Sequence, residues 1–329
     1  MKIGFILSNP VFAQSNGIVS QALTWKKGLE ANGHQVVLIN MWDKNDWTTF
    51  DVLHFFGFSS YMADFLKGVS RVNSKIVLSP ILDPTYSISG FKAYCHWGND
   101  KLRLTNPYYS LYKVKKKIKR YLVRSEFEKA YFVKGLNIPA DCCNIVPLSF
   151  EPSMSQVQKV RENYCLHISL LCDERKNVKR LIEAAKKFKF RLVLGGKLRD
   201  ESEKRLLASW ISEATNIEYL GFLSEEKKKE LYSKAKVFAL PSVNEGVGIV
   251  ALEAASCGCD IVITDKGGPK EYYNKMAITV NPYSVDDIGQ AVCHFLDGQT
   301  FQPQLSNFIN KNYSLEHITN CLEEIYLNL

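Results

Sequence analysis

Short apolar runs rich in β-branched residues alternate with amphipathic stretches along nearly the whole chain. This alternation is typical of parallel β-sheets whose faces are covered by helices. In the first half, the predicted strands are Lys2–Leu7, Gln35–Asn40, Asp51–Phe56, Lys75–Ile81, Tyr121–Ser125 and Asn144–Leu148. In the second half, they are Leu166–Leu171, Arg191–Leu194, Ile217–Leu220, Val237–Leu240, Asp260–Thr264 and Ile278–Val280. The sequence therefore predicts an α/β protein built from two Rossmann-like units.

The length of 329 residues and the 46% hydrophobic content favour two domains. The segment that begins at Phe150 carries proline and serines without apolar periodicity, which is typical of a boundary between domains. We therefore predict a first domain at 1–150, a linker at 151–160 and a second domain at 161–312. Apolar residues at helical spacing predict a C-terminal helix within 313–329, which could pack on either domain.

The composition favours a soluble, cytoplasmic protein. The chain has no apolar run of about 18 residues, and the apolar run at its start is too short for a signal peptide. Its nine cysteines show neither metal-ligand spacing nor an even number, so a reduced compartment is expected and no metal site is predicted. The net charge of +8 indicates an acidic partner without identifying it.

The stretch 241–268 combines two carboxylates, a glycine turn and a helix start. Gly246 and Gly248 allow backbone amides to approach a ligand closely, and a helix ended by Gly258 is predicted to follow them. Free N–H groups at a helix N-terminus bind phosphate well. Glu245 and Glu253 are therefore predicted to face one pocket, where they accept hydrogen bonds from ligand hydroxyls on either side of a pyrophosphate.

Glu245 and Glu253 are separated by seven residues within EGVGIVALEAASCG, which is followed by ITDKGGPKE. This pattern resembles the family 4 retaining glycosyltransferases of the GT-B fold, in which two Rossmann-like domains face each other across a cleft. The resemblance implies that Glu245 contacts the transferred sugar and that Glu253 holds the ribose of the nucleotide. It also implies that amides around Gly248, Ile249 and Val250 face the diphosphate.

The family has a lysine and an arginine after the first strand of the second domain, and both contact the diphosphate. Lys176 matches the lysine, whereas Leu171 occupies the position of the arginine. Arg175 is predicted to supply the missing cation from another point of the loop. If it does not, diphosphate binding should be weaker, because one charge-assisted hydrogen bond contributes about 1.5–3 kcal/mol. The alternative is that 173–177 is an ordinary solvated loop.

Gly17 follows the first predicted strand, and the family has a glycine-containing loop here that faces the phosphates. The spacing of a dinucleotide-binding fingerprint is absent after that strand, which argues against a nicotinamide or flavin enzyme. On the acceptor side, His54 and Asp83 stand near the ends of predicted strands. A histidine after apolar residues is also compatible with a packed core position, so both interpretations of His54 stay open.

The segment 101–124 is basic, because seven further lysines and arginines and no acidic residue lie between Lys101 and Arg124. Aromatic and apolar residues interleave with the charges, namely Tyr108, Tyr109, Leu111, Tyr112, Val114 and Ile118. This combination predicts peripheral contact with the anionic inner face of the cytoplasmic membrane. A solvated helix face is the alternative. Nucleic acid is not expected, because no binding module accompanies the charge.

The resemblance implies a metal-independent, retaining transferase without a cofactor, which moves a sugar from a nucleotide diphosphate sugar to an acceptor hydroxyl. The implied acceptor is a glycan or a lipid-linked surface polysaccharide. Two alternatives stay open at this point. One is a catalytically inactive GT-B subunit of a glycosyltransferase complex, and the other is a nucleotide-sugar epimerase or a phosphorylase on the same fold.

Overall fold

The computed structural model describes residues 1–7, 17–40, 43–102, 104–150 and 161–329. These residues form two compact units. The first unit contains Met1–Ser149 together with Leu315–Leu329, and the second contains Phe150–Ser314. The predicted linker at 151–160 lies outside the described residues.

The first unit contains a six-stranded, all-parallel sheet with the order β2-β1-β3-β4-β5-β6. Its strands are β1 (Lys2–Leu7), β2 (Gln35–Leu38), β3 (Val52–Phe56), β4 (Ile76–Ser79), β5 (Arg120–Val123) and β6 (Cys143–Ile145). Its helices are α1 (Gly17–Ala31), α2 (Ser60–Val69), α3 (Ile88–His96), α4 (Pro107–Val114), α5 (Glu126–Ala130) and, near the end of the chain, α12 (Leu315–Leu327). Apolar clusters cover both faces of this sheet, which explains why its strands are almost entirely apolar.

The second unit contains another six-stranded parallel sheet, with the order β12-β11-β10-β7-β8-β9. Its strands are β7 (Glu162–Ile168), β8 (Leu192–Gly195), β9 (Ile217–Tyr219), β10 (Ala235–Leu240), β11 (Asp260–Thr264) and β12 (Ile278–Val280). Its helices are α6 (Val178–Phe188), α7 (Glu201–Ile211), α8 (Glu225–Lys234), α9 (Ile249–Ser256), α10 (Val285–Leu296) and α11 (Gln304–Asn312). Two Rossmann-like units result, as the alternation of apolar runs predicts.

The predicted strands correspond one by one to the observed strands, with one clear shift. The prediction placed a strand at Leu166–Leu171, whereas β7 runs from Glu162 to Ile168. Leu171 lies beyond the end of β7 and is only 1% exposed, because it packs into the core of the second unit. Burial after the strand end therefore made the apolar run appear to extend the strand.

Helix α12 belongs to the first unit, although it follows the whole second unit in the sequence. Ile318, Leu322 and Tyr326 of α12 are buried in the same apolar cluster as β1 and α1. At Gly28 of α1, a side-chain carbon would collide with the methyl group of Thr319 on α12. Gly28 therefore allows the two helices to pack in close contact.

Candidate active site

The strand order of the second unit identifies where a ligand can bind. β7 lies between β8 and β10, so the connections that leave β7 and β10 diverge to opposite sides at this point of the sheet. Ligands of open α/β sheets bind beyond the carboxyl ends of the strands at such a switch point. The loop after β7 contains Asp173–Lys176, and the loop after β10 contains Pro241–Gly248.

Asn177 fixes the loop after β7. It adopts a left-handed conformation with φ +58°, which asparagine tolerates better than most residues. Its buried side-chain amide donates to the carbonyls of Pro241 at 2.9 Å and Pro282 at 2.6 Å. These bonds join the end of β10 and the segment after β12 to the residue that follows Lys176. Sequence reasoning did not single out Asn177, because both of its partners are distant in sequence.

The loops after β7 and β10 meet in an ion pair. Lys176 Nζ donates to Glu245 Oε2 at 2.6 Å, and Ser242 Oγ donates to the same oxygen at 3.1 Å. The side chains of Lys176 and Glu245 are 20% and 14% exposed, so both are held in place yet remain open to solvent. The structure thus brings together the two residues that the sequence assigned to the diphosphate and to the sugar.

Gly248 is the N-cap residue that precedes α9, and it has a left-handed conformation with φ +73°. A side-chain carbon at this position would approach Leu240 Cδ2 to 2.8 Å, so the turn needs glycine for both its backbone and its space. Gly248 provides no side-chain cap for the helix. The first N–H groups of α9, at Ile249 and Val250, therefore start a helix without a capping side chain, which is the arrangement that binds phosphate.

Gly267 lies in close contact with the backbone of the loop that carries Glu245. It has φ +82°, and a side-chain carbon there would collide with the carbonyl oxygen of Glu245. The close approach of the two backbones thus depends on glycine at this position. The sequence pattern includes Gly267 only as a glycine that follows the helix, whereas the structure shows that it determines where Glu245 can lie.

Glu253 lies on α9 and faces a separate set of groups. It lines a cavity of about 250 Å³ together with Lys228, Lys229 and Tyr232, and Glu245 is not among the lining residues. Tyr232 donates its hydroxyl to Glu253 Oε2 at 3.3 Å. At this cavity Glu253 lies among lysines of α8, whereas Glu245 lies beside Lys176, so a common pocket for the two carboxylates stays a prediction.

Burial raises the pKa of Glu253 above its usual value, and the nearby cations of Lys228 and Lys229 oppose this effect only in part. A carboxyl group whose pKa is raised by folding binds protons more tightly in the folded state than in the unfolded state. The stability of the unit should therefore fall as the pH rises from the unfolded pKa of Glu253 through its folded pKa. The charged form is then a destabilising group at neutral pH.

We expect Glu253→Gln to raise the melting temperature at pH 7, because glutamine occupies the same space and accepts the Tyr232 hydrogen bond without a buried charge. The gain should shrink as the pH is lowered through the raised pKa of Glu253, because the wild-type carboxyl group then takes up a proton and loses its charge. Thermal unfolding of both proteins across this pH range measures the difference. A gain that is independent of pH would show that the charge of Glu253 is not its cause.

Arg175 lies at a different point of the loop from Leu171, and a neighbouring carboxylate holds its side chain. Its guanidinium pairs with Asp173 Oδ2 at 3.0 Å, and its side chain is 60% exposed. Leu171, which stands where the resembled family has an arginine, is a core residue. Among the described residues of the β7 loop, Lys176 is the cation that the structure holds against Glu245.

Gly17 and His54 belong to the first unit. Gly17 begins α1 after β1, while residues 13–16 of its loop lie outside the described residues.

His54 is fully buried, and its ring nitrogens bond to Tyr326 Oη at 2.6 Å and Ser79 Oγ at 2.8 Å. Burial lowers the pKa of His54 to about 3, so its ring is neutral. The expected contact of His54 with an acceptor is therefore wrong for this geometry, because neither nitrogen remains available.

Asp83 lies on the loop after β4, at the carboxyl edge of the first sheet. Arg124 donates to Asp83 Oδ1 at 2.6 Å, and the buried Glu128 holds the same guanidinium at 3.0 Å. The Asp83 side chain is 39% exposed, so it keeps a face toward solvent. Ile81 in this loop has φ +54°, a strained conformation for a β-branched residue. Unlike His54, Asp83 is held in place and still accessible.

Some apolar residues of the basic segment 101–124 are buried, although the sequence predicted that they contact a membrane. Leu111, Val114 and Ile118 are at most 5% exposed and belong to the core of the first unit, so they cannot rest on a membrane. The exposed large apolar side chains close to this segment include Trp97, Leu102 and Leu104, which precede α4. Within the described parts of the chain, no helix combines the length and hydropathy needed to cross a bilayer. Arg103 lies outside the described residues.

Comparisons with known proteins agree with this architecture. Residues 153–314 match the family described as Glycosyl transferases group 1. Over its full length the chain superposes with 15% identity and a TM-score of 0.72 on the whole of HepE from Anabaena, which was crystallised with UDP and glucose. It also superposes on the whole of the lipopolysaccharide outer core galactosyltransferase WaaB, with 14% identity and a TM-score of 0.74. The protein has the two-domain, Rossmann-like GT-B fold.

Curated relatives match part of the chain. An O-antigen chain mannosyltransferase B from Escherichia coli is 26% identical over 205 residues, which cover 56% of this chain and 53% of the relative. An uncharacterized glycosyltransferase from Methanocaldococcus jannaschii is 28% identical over 218 residues, which cover 58% of this chain and 55% of the relative. The chain thus spans about half the length of these two relatives.

Proposed function

We propose that this chain, whose second unit carries a glycosyl transferases group 1 domain, transfers a sugar from a nucleotide diphosphate sugar to an acceptor hydroxyl. The observation that carries the proposal is the Lys176–Glu245 pair at 2.6 Å, in which Glu245 lies close to Gly248 at the uncapped start of α9. A cation and free helix amides suit the diphosphate, and a neighbouring carboxylate suits the sugar.

The leaving diphosphate gains negative charge as the sugar departs. In the proposed mechanism, Lys176 and the first amides of α9 stabilise this charge without a metal ion. Glu245 accepts hydrogen bonds from sugar hydroxyls and stabilises positive charge that develops at the anomeric carbon. The proposal includes retention of configuration at the anomeric carbon. The acceptor hydroxyl attacks this carbon on the same face from which the diphosphate leaves. The diphosphate itself then takes the acceptor proton.

GDP-mannose is the first donor to test. The Escherichia coli relative is named a mannosyltransferase, and a relative from Corynebacterium glutamicum is named a GDP-mannose-dependent mannosyltransferase. The proposed acceptor is a lipid-linked or growing surface glycan. The exposed side chains of Trp97, Leu102 and Leu104, next to the cation of Lys101, support peripheral contact with an anionic membrane.

The test is a screen of the purified chain, with EDTA present, against GDP-, UDP- and ADP-sugars. Thermal stabilisation and slow hydrolysis are measured for each donor. We expect one donor to stabilise the protein and to be hydrolysed, because a binding ligand raises the apparent stability by mass action. Stabilisation by no donor would contradict the proposal. Binding without hydrolysis would favour the inactive-subunit alternative, unless an added glycan acceptor restores turnover.

In the proposed mechanism Glu253 holds the ribose of the donor, so Glu253→Ala should mainly raise the KM for the donor, with kcat changed little. A ribose contact is the same in the ground state and the transition state, and the loss of such a contact weakens binding without slowing chemistry. Steady-state kinetics with varied donor measure both constants. Loss of kcat at saturating donor would show that Glu253 acts in the chemical step instead.

A further inference from the structure

A second cavity lies in the first unit, at the start of β5, which is the sheet edge opposite to that of Asp83. Its volume of about 530 Å³ is in the range of small-molecule sites. Its lining combines cations with apolar and amide groups, namely Lys115, Lys116, Ile118, Lys119, Arg120, Tyr121, Asn137, Ile138, Pro139 and Cys142. Nothing in the proposed transfer reaction uses these residues.

The charges of this cavity are of one sign. Four of its lining residues are lysines or arginine, and no carboxylate occurs among the described residues that line it. Asp141 is adjacent in sequence to the lining residue Cys142 but is not part of the lining. Four cations around one concave surface attract an anion more strongly than the same cations spread over a flat face, because the low-dielectric walls focus their field.

Lys115 is the most constrained of the four cations. It is partly buried, and its Nζ donates to the carbonyl of Leu136 at 2.6 Å and lies 4.3 Å from the ring centroid of Tyr112. Burial lowers the pKa of Lys115, and the positive charge of Lys116 lowers it further. A bound anion would relieve both effects, since it would replace lost hydration and screen the repulsion between the two ammonium groups.

The remainder of the lining gives the cavity a fixed shape. Ile118, Tyr121 and Ile138 are at most 5% exposed and form an apolar wall. Tyr121 donates its hydroxyl to the carbonyl of Lys115 at 2.9 Å, which ties this wall to the cationic turn. Asn137 also lines the cavity, is exposed and has a left-handed backbone with φ +55°. Cations beside an apolar wall suit an anion that carries an uncharged portion.

We propose that this cavity binds the phosphate group of a phosphate ester. The phosphate would contact the lysines and Arg120, and the uncharged part of the ester would lie against Ile118 and Ile138. Two sources offer this chemistry, namely a soluble phosphate ester and the headgroup of an anionic phospholipid. Such binding is saturable and confined to one pocket, unlike a diffuse attraction of the 101–124 surface to a membrane.

The test uses Cys142 as a reporter, because this partly exposed cysteine lines the cavity. A ligand in the cavity should slow the alkylation of Cys142, whereas the partly exposed Cys293 and Cys321 serve as internal controls. The rates are followed by mass spectrometry on the full chain. The probes are glycerol 3-phosphate, inorganic phosphate, and vesicles of phosphatidylglycerol, compared with vesicles of phosphatidylcholine.

The variant Lys116→Gln with Lys119→Gln should weaken the protecting ligand by about tenfold or more, since each cation near a phosphate contributes about 1 kcal/mol and 1.4 kcal/mol is a factor of ten. Lys67→Gln with Lys92→Gln is the matched control. It removes the same charge from exposed lysines of the first unit that do not line the cavity, and it should leave protection unchanged.

Protection by a soluble phosphate that is lost only in the cavity variant supports the proposal with a soluble ester as the source. Protection by phosphatidylglycerol vesicles alone, with the same dependence on the variants, supports it with a lipid headgroup as the source. The proposal is overturned if no probe protects Cys142, if Cys293 and Cys321 are protected equally, or if the control variant loses protection to the same extent. None of these readouts depends on sugar transfer, so they stand apart from a failure of the proposed function.

Discussion

Replacement of Glu245 by alanine is expected to lower kcat by about 10²- to 10³-fold, the loss seen when one preorganised electrostatic contact is removed from an active site. Glu245 is held by Lys176 and Ser242, so its carboxylate is already oriented before a donor binds. An oriented charge stabilises a transition state without a cost of reorganisation during the reaction. The measurement is kcat at saturating donor, with the acceptor or with water.

Glu245→Gln separates charge from hydrogen bonding. Glutamine keeps an acceptor for Ser242 but cannot balance the charge of Lys176 or of an oxocarbenium-like sugar, so it should lose most of the same activity. The matched control is Glu174→Ala, which removes an exposed carboxylate from the turn that contains Lys176 and should retain near wild-type turnover. Wild-type kcat in Glu245→Ala would remove this residue from the mechanism.

The second large effect is expected for Gly267→Ala, which should destabilise the second unit by about 3 kcal/mol or more. A left-handed backbone costs a residue with a side chain about 1–2 kcal/mol. The added carbon would also collide with the carbonyl oxygen of Glu245, which is backbone and cannot rotate away. The loop must therefore move, and Glu245 moves with it, so turnover should fall as well. Calorimetric unfolding and kcat measure the two consequences.

Gly221→Ala is the control for Gly267→Ala. Gly221 has a similar φ of +75°, but no atom lies within 4 Å of an added side-chain carbon. Gly221→Ala should lower the free energy of unfolding only by the cost of the left-handed backbone, about 1–2 kcal/mol. Equal losses in the two variants would show that the contact between Gly267 and the Glu245 carbonyl contributes nothing.

The sequence predicts the sheets better than the contacts between loops. Apolar runs predict strands because a strand covered on both faces needs apolar residues at every position. The same rule misplaces β7, since its first residues, Glu162 and Asn163, are exposed and polar, while Leu171 is buried after the strand has ended. The pattern of apolar residues indicates which residues are buried. At the ends of strands, the buried residues and the residues that pair with a neighbouring strand are not the same.

Within the site, the pairing of Lys176 with Glu245 follows from two loops that leave neighbouring strands, and the resemblance to a known family predicted both residues. The role of Asn177 did not follow, because it depends on carbonyls of residues far away in the sequence. His54 shows the opposite limit. A histidine near the end of a strand is compatible with either a site or a core, and only its bonds to Tyr326 and Ser79 decide between them.

The placement of α12 has a consequence for the order of events on the ribosome. Tyr326 completes the hydrogen bonding of the buried His54, and α12 covers α1 and β1, yet the ribosome makes this helix only after the entire second unit. Domains usually fold as units during synthesis, with the N-terminal domain first. Here one apolar face of the N-terminal sheet stays uncovered until α12 has been synthesised, while the second unit can complete its fold earlier. Chaperones that bind exposed apolar surface should therefore engage the first unit for longer than the second.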